Sequence, residues 1–314
     1  MIEKTAVHFL DTLPYTFTGR AVALGLFDGI HQGHINIIKK MVRTATLDGL
    51  TSCVQTFINF DKAGTGLLTT IEEKREILSA LGVEELLVLD FKAIKDMSPD
   101  QFCEDILKMR VGAVSLFAGE DYRFGARAAG NIETLKEFAA ANSYDIEVFD
   151  DMLFGDSNRR MSSTWLREAL AEGNVSLVRE MCGYRPFAYS GIVVEGNKLG
   201  RKMGFPTANI IVPEDKFVVR RGVYASRIML GSNKLYGITN IGLRPTVGDL
   251  TNDVVETYIF DFDDDIYGAR IKVELLDFIR PEKKFDSIDD LMAEVEANKV
   301  QAKTFFANEG IIIA

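Results

Sequence analysis

The segment Gly25-Leu26-Phe27-Asp28-Gly29-Ile30-His31-Gln32-Gly33-His34 holds two of the chain's three histidines, three residues apart and interleaved with three glycines. Glycines let backbone N–H groups approach a ligand closely, and the start of a helix favours anions. Two imidazoles on such a turn can donate hydrogen bonds to the oxygens of a nucleoside triphosphate. They would stabilise charge on the reacting phosphate and on departing pyrophosphate, with no covalent intermediate. The alternative is a surface histidine pair holding an adventitious metal. With 3 His and 26 Gly in 314 residues, H-x-G-H arises in roughly one shuffled chain in six hundred, which favours the nucleotide reading.

A second constellation lies in Gly196-Asn197-Lys198-Leu199-Gly200-Arg201-Lys202-Met203-Gly204-Phe205-Pro206-Thr207-Ala208-Asn209. Pro206 fixes the approach, and Thr207 and Asn209, two apart on an extended chain, face the same side. A hydroxyl and an amide oxygen are hard ligands suited to a Mg²⁺ ion that keeps its waters and the phosphates of a nucleotide. Between the two constellations, Ser162-Ser163-Thr164 supplies N-cap hydroxyls to a helix that carries Arg167 one turn in.

The elements that must position these residues change character along the chain. Strand-like runs at Arg20–Phe27, Thr51–Phe57, Leu86–Leu89, Val114–Ala118 and Ile146–Phe149 alternate with helical periods at about Gly33–Leu47, Ile71–Leu81, Pro99–Met109 and Ile132–Ala141. Continuous apolar strands in β-α-β order predict a parallel sheet with helices on both faces, of the Rossmann-like kind. In the helix from Ile71, Glu72, Glu73, Lys74 and Arg75 are expected on the polar side. Two further helices run to Glu172 and to Cys182, and Gly183-Tyr184-Arg185-Pro186 reads as a domain junction. This divides the chain into 1–183 and 187–314.

Beyond the junction, β-like runs at Phe187–Val194, Ala208–Val212, Val223–Leu230, Leu235–Ile241, Val254–Phe262 and Ala269–Ile279 are punctuated by Gly, Pro, Asn and Asp. They predict an antiparallel six-stranded β-barrel. A closing amphipathic helix over Phe285–Phe306 has Leu291, Val295 and Phe305 on its inner face. The acidic run at Asp261, Asp263, Asp264 and Asp265 lacks the glycine and terminal glutamate of a calcium loop and reads as a turn.

Together these motifs resemble the bacterial bifunctional riboflavin kinase/FAD synthetase family. The first half matches the H-x-G-H nucleotidyltransferase signature. Supporting segments are Leu68-Thr69-Thr70-Ile71-Glu72-Glu73-Lys74-Arg75, Gly119-Glu120-Asp121-Tyr122-Arg123-Phe124-Gly125 and Ser162-Ser163-Thr164-Trp165-Leu166-Arg167. The resemblance implies His31 and His34 as catalytic residues. It implies Gly25, Phe27, Asp28, Gly33, Asp121, Ser163, Thr164 and Arg167 as nucleotide- and phosphate-binding residues of an FMN adenylyltransferase domain. The second half, with Asn240-Ile241-Gly242-Leu243-Arg244-Pro245-Thr246 and Glu256 downstream, resembles the riboflavin kinase domain. There Glu256 is implied as general base, Gly200, Gly204, Pro206, Thr207 and Asn209 as nucleotide-binding, and Thr207 and Asn209 as Mg²⁺ ligands. ATP, riboflavin and FMN are the implied substrates.

The chain departs from the family pattern at four places. Phe57-Ile58-Asn59-Phe60-Asp61 stands where the family has an F-x-P-H-P turn, and Tyr258 where it often has histidine. Asn131 replaces an aspartate, and Met161 a branched aliphatic residue. Two other readings stay open: a kinase with a weakened or regulatory N-terminal nucleotide-binding module, and a transferase for another phosphate or alcohol fused to a structural barrel.

Composition narrows the field further. The net charge is −10 and both halves are acidic, so neither nucleic acid nor an anionic membrane is an expected partner. Cys53, Cys103 and Cys182 are odd in number and lie in apolar runs, which predicts reduced core thiols and a cytoplasmic protein.

Overall fold

A computed structural model describes residues 4–16, 18–60, 64–196, 204–245 and 251–313. The chain divides into two compact units, Met1–Ser163 and Thr164–Ala314.

The first unit is built on a six-stranded parallel sheet in the order β1-β4-β3-β2-β5-β6. Its strands are β1 (Ala6–Phe9), β2 (Arg20–Leu24), β3 (Thr51–Ile58), β4 (Glu85–Asp90), β5 (Ala113–Gly119) and β6 (Asp145–Phe149). Helices α1 (Gln32–Asp48) and α2 (Ile71–Ala80) cover one face. Their Ile38, Met41 and Leu78 pack on Ala21, Ala23, Val54 and Val88. On the other face Phe102, Ile106 and Leu135 pack on Val22, Leu24, Cys53 and Leu116. Alternate residues of one strand therefore serve two cores, which is why the strands read as unbroken apolar runs.

The helical period from Pro99 has an unexpected winding. After short α3 (Phe91–Ile94), one turn of α4 (Pro99–Gln101) is followed by a π-helix over Phe102–Val111, closed by Gly112 in the left-handed region. Strand β1 was not anticipated, nor was a two-residue hairpin of β7 (Leu153–Phe154) and β8 (Arg159–Arg160). The remaining helix of this face is α5 (Ile132–Asn142), capped by the Asn131 side chain on the Thr134 N–H at 3.1 Å. An asparagine caps as well as an aspartate there.

The crossing order positions the site. From β2 the chain moves through α1 to β3 on one side, whereas β5 pairs with β2 on the other. The loops leaving the carboxyl ends of β2 and β5 thus diverge from neighbouring strands, the switch point at which open α/β sheets hold ligands.

The second unit opens within α6 (Ser163–Glu172), from Thr164 on, and continues with α7 (Val175–Met181). They belong to it because the Arg220 N–H donates to the Leu170 carbonyl at 2.9 Å and its guanidinium to the Glu172 carbonyl at 3.1 Å. This division falls upstream of Gly183–Pro186. Six antiparallel strands follow: β9 (Phe187–Ile192), β10 (Thr207–Ile211), β11 (Gly222–Leu230), β12 (Asn233–Pro245), β13 (Thr251–Ile259) and β14 (Arg270–Pro281). Their order is β10-β13-β12-β11-β14-β9. The sheet curls until its edges meet at one bridge, where the Val194 N–H donates to the Asn209 carbonyl at 2.8 Å.

Helix α8 (Ile288–Asn308) closes this unit. Asn298, Ala302 and Phe306 are its buried residues, with Val295 and Phe305 at the margin. The acidic run is a turn: Asp261 has φ +50°, and the Tyr267 N–H donates to the Asp265 carboxylate at 3.0 Å.

Candidate active sites

In the first unit, His31 is the N-cap of α1, with φ −75° and ψ 174°. Its Nδ1 accepts the His34 backbone N–H at 3.4 Å. A ring nitrogen that accepts carries no proton, so the neutral His31 ring holds its hydrogen on Nε2 as a donor. The His34 ring stacks on it with centroids 3.8 Å apart and planes 18° from parallel, and meets the Phe27 ring edge-on at 5.2 Å. His34 Nδ1 is buried and has no hydrogen-bond partner among the described residues. Gly33 leaves room for the His31 ring, which a Cβ there would approach to 3.1 Å at Cε1.

Both imidazoles are held neutral. Burial, and then the Arg160 guanidinium, push the His31 pKa down to about 4 against the opposing Asp121 carboxylate. Burial and then the charges of His31, Lys74 and Arg160 drive His34 well below its ordinary value. The first turn of α1 carries no acidic side chain, so its dipole favours an anion at this end.

The turn that leads into the pair is unusual: Phe27, Gly29 and Ile30 all have positive φ, at +49°, +82° and +41°. Gly25 accommodates Phe27, whose ring would meet a Cβ at 3.1 Å. Asp28, expected among the nucleotide contacts, has its carboxylate turned into the protein. It is fully buried and accepts from Leu68 N (3.1 Å), Thr69 N (3.0 Å) and Thr69 Oγ1 (3.3 Å). Its backbone carbonyl accepts from Ser163 Oγ at 2.8 Å.

Asp121 is exposed and ion-pairs with Arg160, which also binds Asp151 at 2.8 Å. Arg160 was not anticipated; it lies in a two-residue strand with no periodicity to expose it. Thr164 is exposed and Arg167 half-buried, both on the first two turns of α6 and counted with the second unit.

Lys74 and Glu73 overturn their sequence reading. They are 1% and 7% exposed instead of on a polar surface: Lys74 reaches beneath the loop to the Leu26 carbonyl and Thr56 Oγ1, and the Glu73 carboxylate accepts the Thr70 N–H of the capping box. At the departure from the F-x-P-H-P pattern, Asn59 has φ +56° and its amide donates to the Asp90 carboxylate at 2.9 Å. Asp61 of that turn lies outside the described residues.

In the second unit, β10 and β13 pair so that Asn209 lies opposite Glu256 and Thr207 opposite Tyr258. Thr207 Oγ1 donates to Glu256 Oε1 at 2.6 Å, and the Asn209 amide reaches Thr207 Oγ1 at 3.3 Å. The three side chains form one polar cluster. A cavity of about 290 Å³ is lined by Pro206, Thr207 and Asn209 together with Gly196, Ile259, Phe262, Asp263–Asp265, Ile266 and Tyr267. Gly196 leaves room for the Asn209 carboxamide, which a Cβ would approach to 2.7 Å. Tyr258 packs edge-on against Phe205 at 5.6 Å, with Lys299 Nζ above both rings at 5.3 and 5.2 Å. Gly204 has φ +83°; Gly200 and Thr246 lie outside the described residues.

No group of three or more His, Cys, Asp or Glu side chains is placed to hold a metal among the described residues. An ion at Thr207 and Asn209 therefore has to bring further ligands, as one arriving on nucleotide phosphates does. The three cysteines are free and buried, and no helix of the described residues is long and apolar enough to cross a membrane.

Fold and sites define a transferase with a nucleotidyltransferase unit and a phosphotransferase barrel on one chain. The FAD synthetase family model matches residues 14–165 and the riboflavin kinase model residues 183–306. Two relatives are named bifunctional riboflavin kinase/FMN adenylyltransferase. The Escherichia coli (strain K12) protein is 34% identical over 309 residues and that of Listeria monocytogenes 32% over 308, each alignment spanning 96% of both chains. A Streptococcus pneumoniae crystal structure, described as a macrolide-efflux protein, is 29% identical. It superposes with a TM-score of 0.82 over 95% of this chain and 98% of its own. The chain belongs to the bifunctional riboflavin kinase/FMN adenylyltransferase family.

Proposed function

We propose that the chain makes FAD in two steps: riboflavin and ATP give FMN and ADP in the barrel, then FMN and ATP give FAD and pyrophosphate in the α/β unit. The observation that carries this reading is that both polar constellations are assembled on one chain, each inside its own compact unit.

In the barrel, Glu256 takes the proton of the terminal ribityl hydroxyl as that oxygen attacks the γ-phosphorus of ATP. The Thr207 hydroxyl, bonded to Glu256 Oε1, fixes the carboxylate and leaves its other oxygen to accept the substrate proton. Thr207 and Asn209 are the residues to hold a Mg²⁺ ion, whose oxygen-ligand chemistry they fit; when bound it neutralises charge on the phosphates. Gly196, Gly200, Gly204 and Pro206 shape the approach to that nucleotide.

In the α/β unit, a phosphate oxygen of FMN attacks the α-phosphorus of ATP in line, and pyrophosphate leaves. The chain's part is positioning and charge stabilisation. His31 donates from Nε2 to phosphate oxygens, and His34 is held beside it by the stack. Gly25, Phe27 and Gly33 shape the loop, Asp28 anchors it, and Ser163, whose hydroxyl donates to the Asp28 carbonyl, meets the triphosphate beside it. Asp121 holds Arg160 near His31.

Chromatography of products from riboflavin with MgATP tests the reading. FMN with FAD supports it, and neither product overturns it. FMN alone favours the second reading, a kinase with a weakened adenylyltransferase; the Asn59 turn, with its amide engaged by Asp90, motivates that reading.

A further inference from the structure

Beneath the Gly25–His34 loop lies a charge that the steps above do not use. Lys74 Nζ donates to the Leu26 carbonyl and to Thr56 Oγ1, each at 2.6 Å, and the Thr56 hydroxyl donates to the same carbonyl at 2.7 Å. Both acceptors of the ammonium are uncharged, an arrangement that costs stability relative to an apolar residue. Burial lowers the Lys74 pKa to about 8, against the raising effect of Asp28.

The geometry has a directional consequence. Every described peptide bond is trans, and in a trans peptide the carbonyl of one residue and the N–H of the next point opposite ways. Holding the Leu26 carbonyl toward Lys74 and Thr56 therefore turns the Phe27 N–H to the other side. That N–H has no hydrogen-bond partner among the described residues. Phe27 is a bulky residue at φ +49°, a conformation that persists only when its surroundings enforce it.

We propose that Lys74 is a positioning residue of adenylyl transfer, a role that rests on the reading of the first unit given above. It locks the Leu26 carbonyl inward so that the Phe27 N–H faces the phosphates. It also sets a positive charge under the loop where negative charge builds in the transition state. The charged and titratable groups around it are Asp28 of the loop, His34 of α1 and, acting on His34, Arg160 of β8. On its own helix Glu73 is engaged by the Thr70 N–H and Arg75 by Glu72.

The test follows FAD formation from FMN and ATP between about pH 6.5 and about 9.5 in the wild-type chain, Lys74→Arg and Lys74→Met, with urea unfolding of each. In the wild type kcat/KM for ATP falls as pH rises through about 8, since that profile reports the ligand-free enzyme. Lys74→Arg keeps its rate to the top of the range. Lys74→Met loses about tenfold or more in kcat near neutral pH and lacks the alkaline limb. A wild-type profile flat through about 8, the same limb in Lys74→Arg, or a wild-type rate in Lys74→Met overturns the inference while leaving the adenylyltransferase reading standing. No FAD from the wild type defeats both. Where a variant lacks the wild-type urea transition, the wild-type profile decides.

Discussion

The imidazoles of His31 and His34 lie stacked with centroids 3.8 Å apart, and the pair is closed by a hydrogen bond from the His34 backbone to His31 Nδ1. Protonating His31 at Nδ1 removes that acceptor, and protonating both rings sets like charges face to face. The site is built for neutral histidines.

Stability should therefore depend on pH in a definite window. The native His31 pKa is about 4, against an ordinary 6.5. Between those values the unfolded chain binds protons at these imidazoles that the native state refuses. The contribution is complete above about 6.5 and is lost as pH falls toward about 4. Urea midpoints measured across that range should decline for the wild type, and decline less for His31→Gln. Parallel slopes in the two proteins would sink the idea.

Gly33→Ala tests the packing of the pair directly. The added Cβ would sit 3.1 Å from His31 Cε1 and 3.2 Å from Nδ1, so the ring has to give by a few tenths of an ångström. FAD formation should drop by about tenfold or more while riboflavin phosphorylation is retained, since misplacement by a fraction of an ångström is costly for a positioned donor. An unchanged rate would show that the ring geometry is not used.

The bond from Thr207 Oγ1 to Glu256 Oε1, at 2.6 Å, makes a separate prediction for the barrel. Glu256→Gln removes the base but keeps the shape. It should lower kcat for FMN formation by about 10²-fold or more and leave KM for ATP nearly unchanged. Thr207→Val should do less to the proton transfer and more to nucleotide binding, because it loses an oxygen ligand as well as the orienting bond. Steady-state kinetics of both variants separates the two effects.

How much of this was legible beforehand differs from residue to residue. The His31–His34 pair and the Thr207–Asn209 pair could be read because local spacing places them together, on a helix start and on one face of a strand. Lys74 could not: a run of Glu72, Glu73, Lys74 and Arg75 reads as a solvated helix face, and only packing against β3 and the β2 loop shows otherwise. Arg160 lies in a strand too short for any period to register. That Glu256 stands opposite Asn209 is a matter of strand register, which pairing across 47 residues of chain decides. The π-winding at Phe102–Val111 has no sequence signature, since its apolar spacing still passes for an α-helix.

Asp28 is where the family motif and the local chemistry give different roles to one residue. Its carboxylate accepts from Leu68 N, Thr69 N and Thr69 Oγ1, tying the loop to the residues just before α2. Asp28→Asn puts an amide donor against the N–H donors of Leu68 and Thr69. The loss expected is about 2–3 kcal/mol, the scale for hydrogen bonds to a charged group in a buried site. Thermal unfolding of the first unit should move down accordingly, and FAD formation should fall because the loop carrying Phe27 and His31 loosens. A carboxylate that only touched substrate would predict the opposite pattern, a loss of activity with unfolding unchanged. Calorimetry and FAD assays on the same preparation therefore distinguish anchoring from contact.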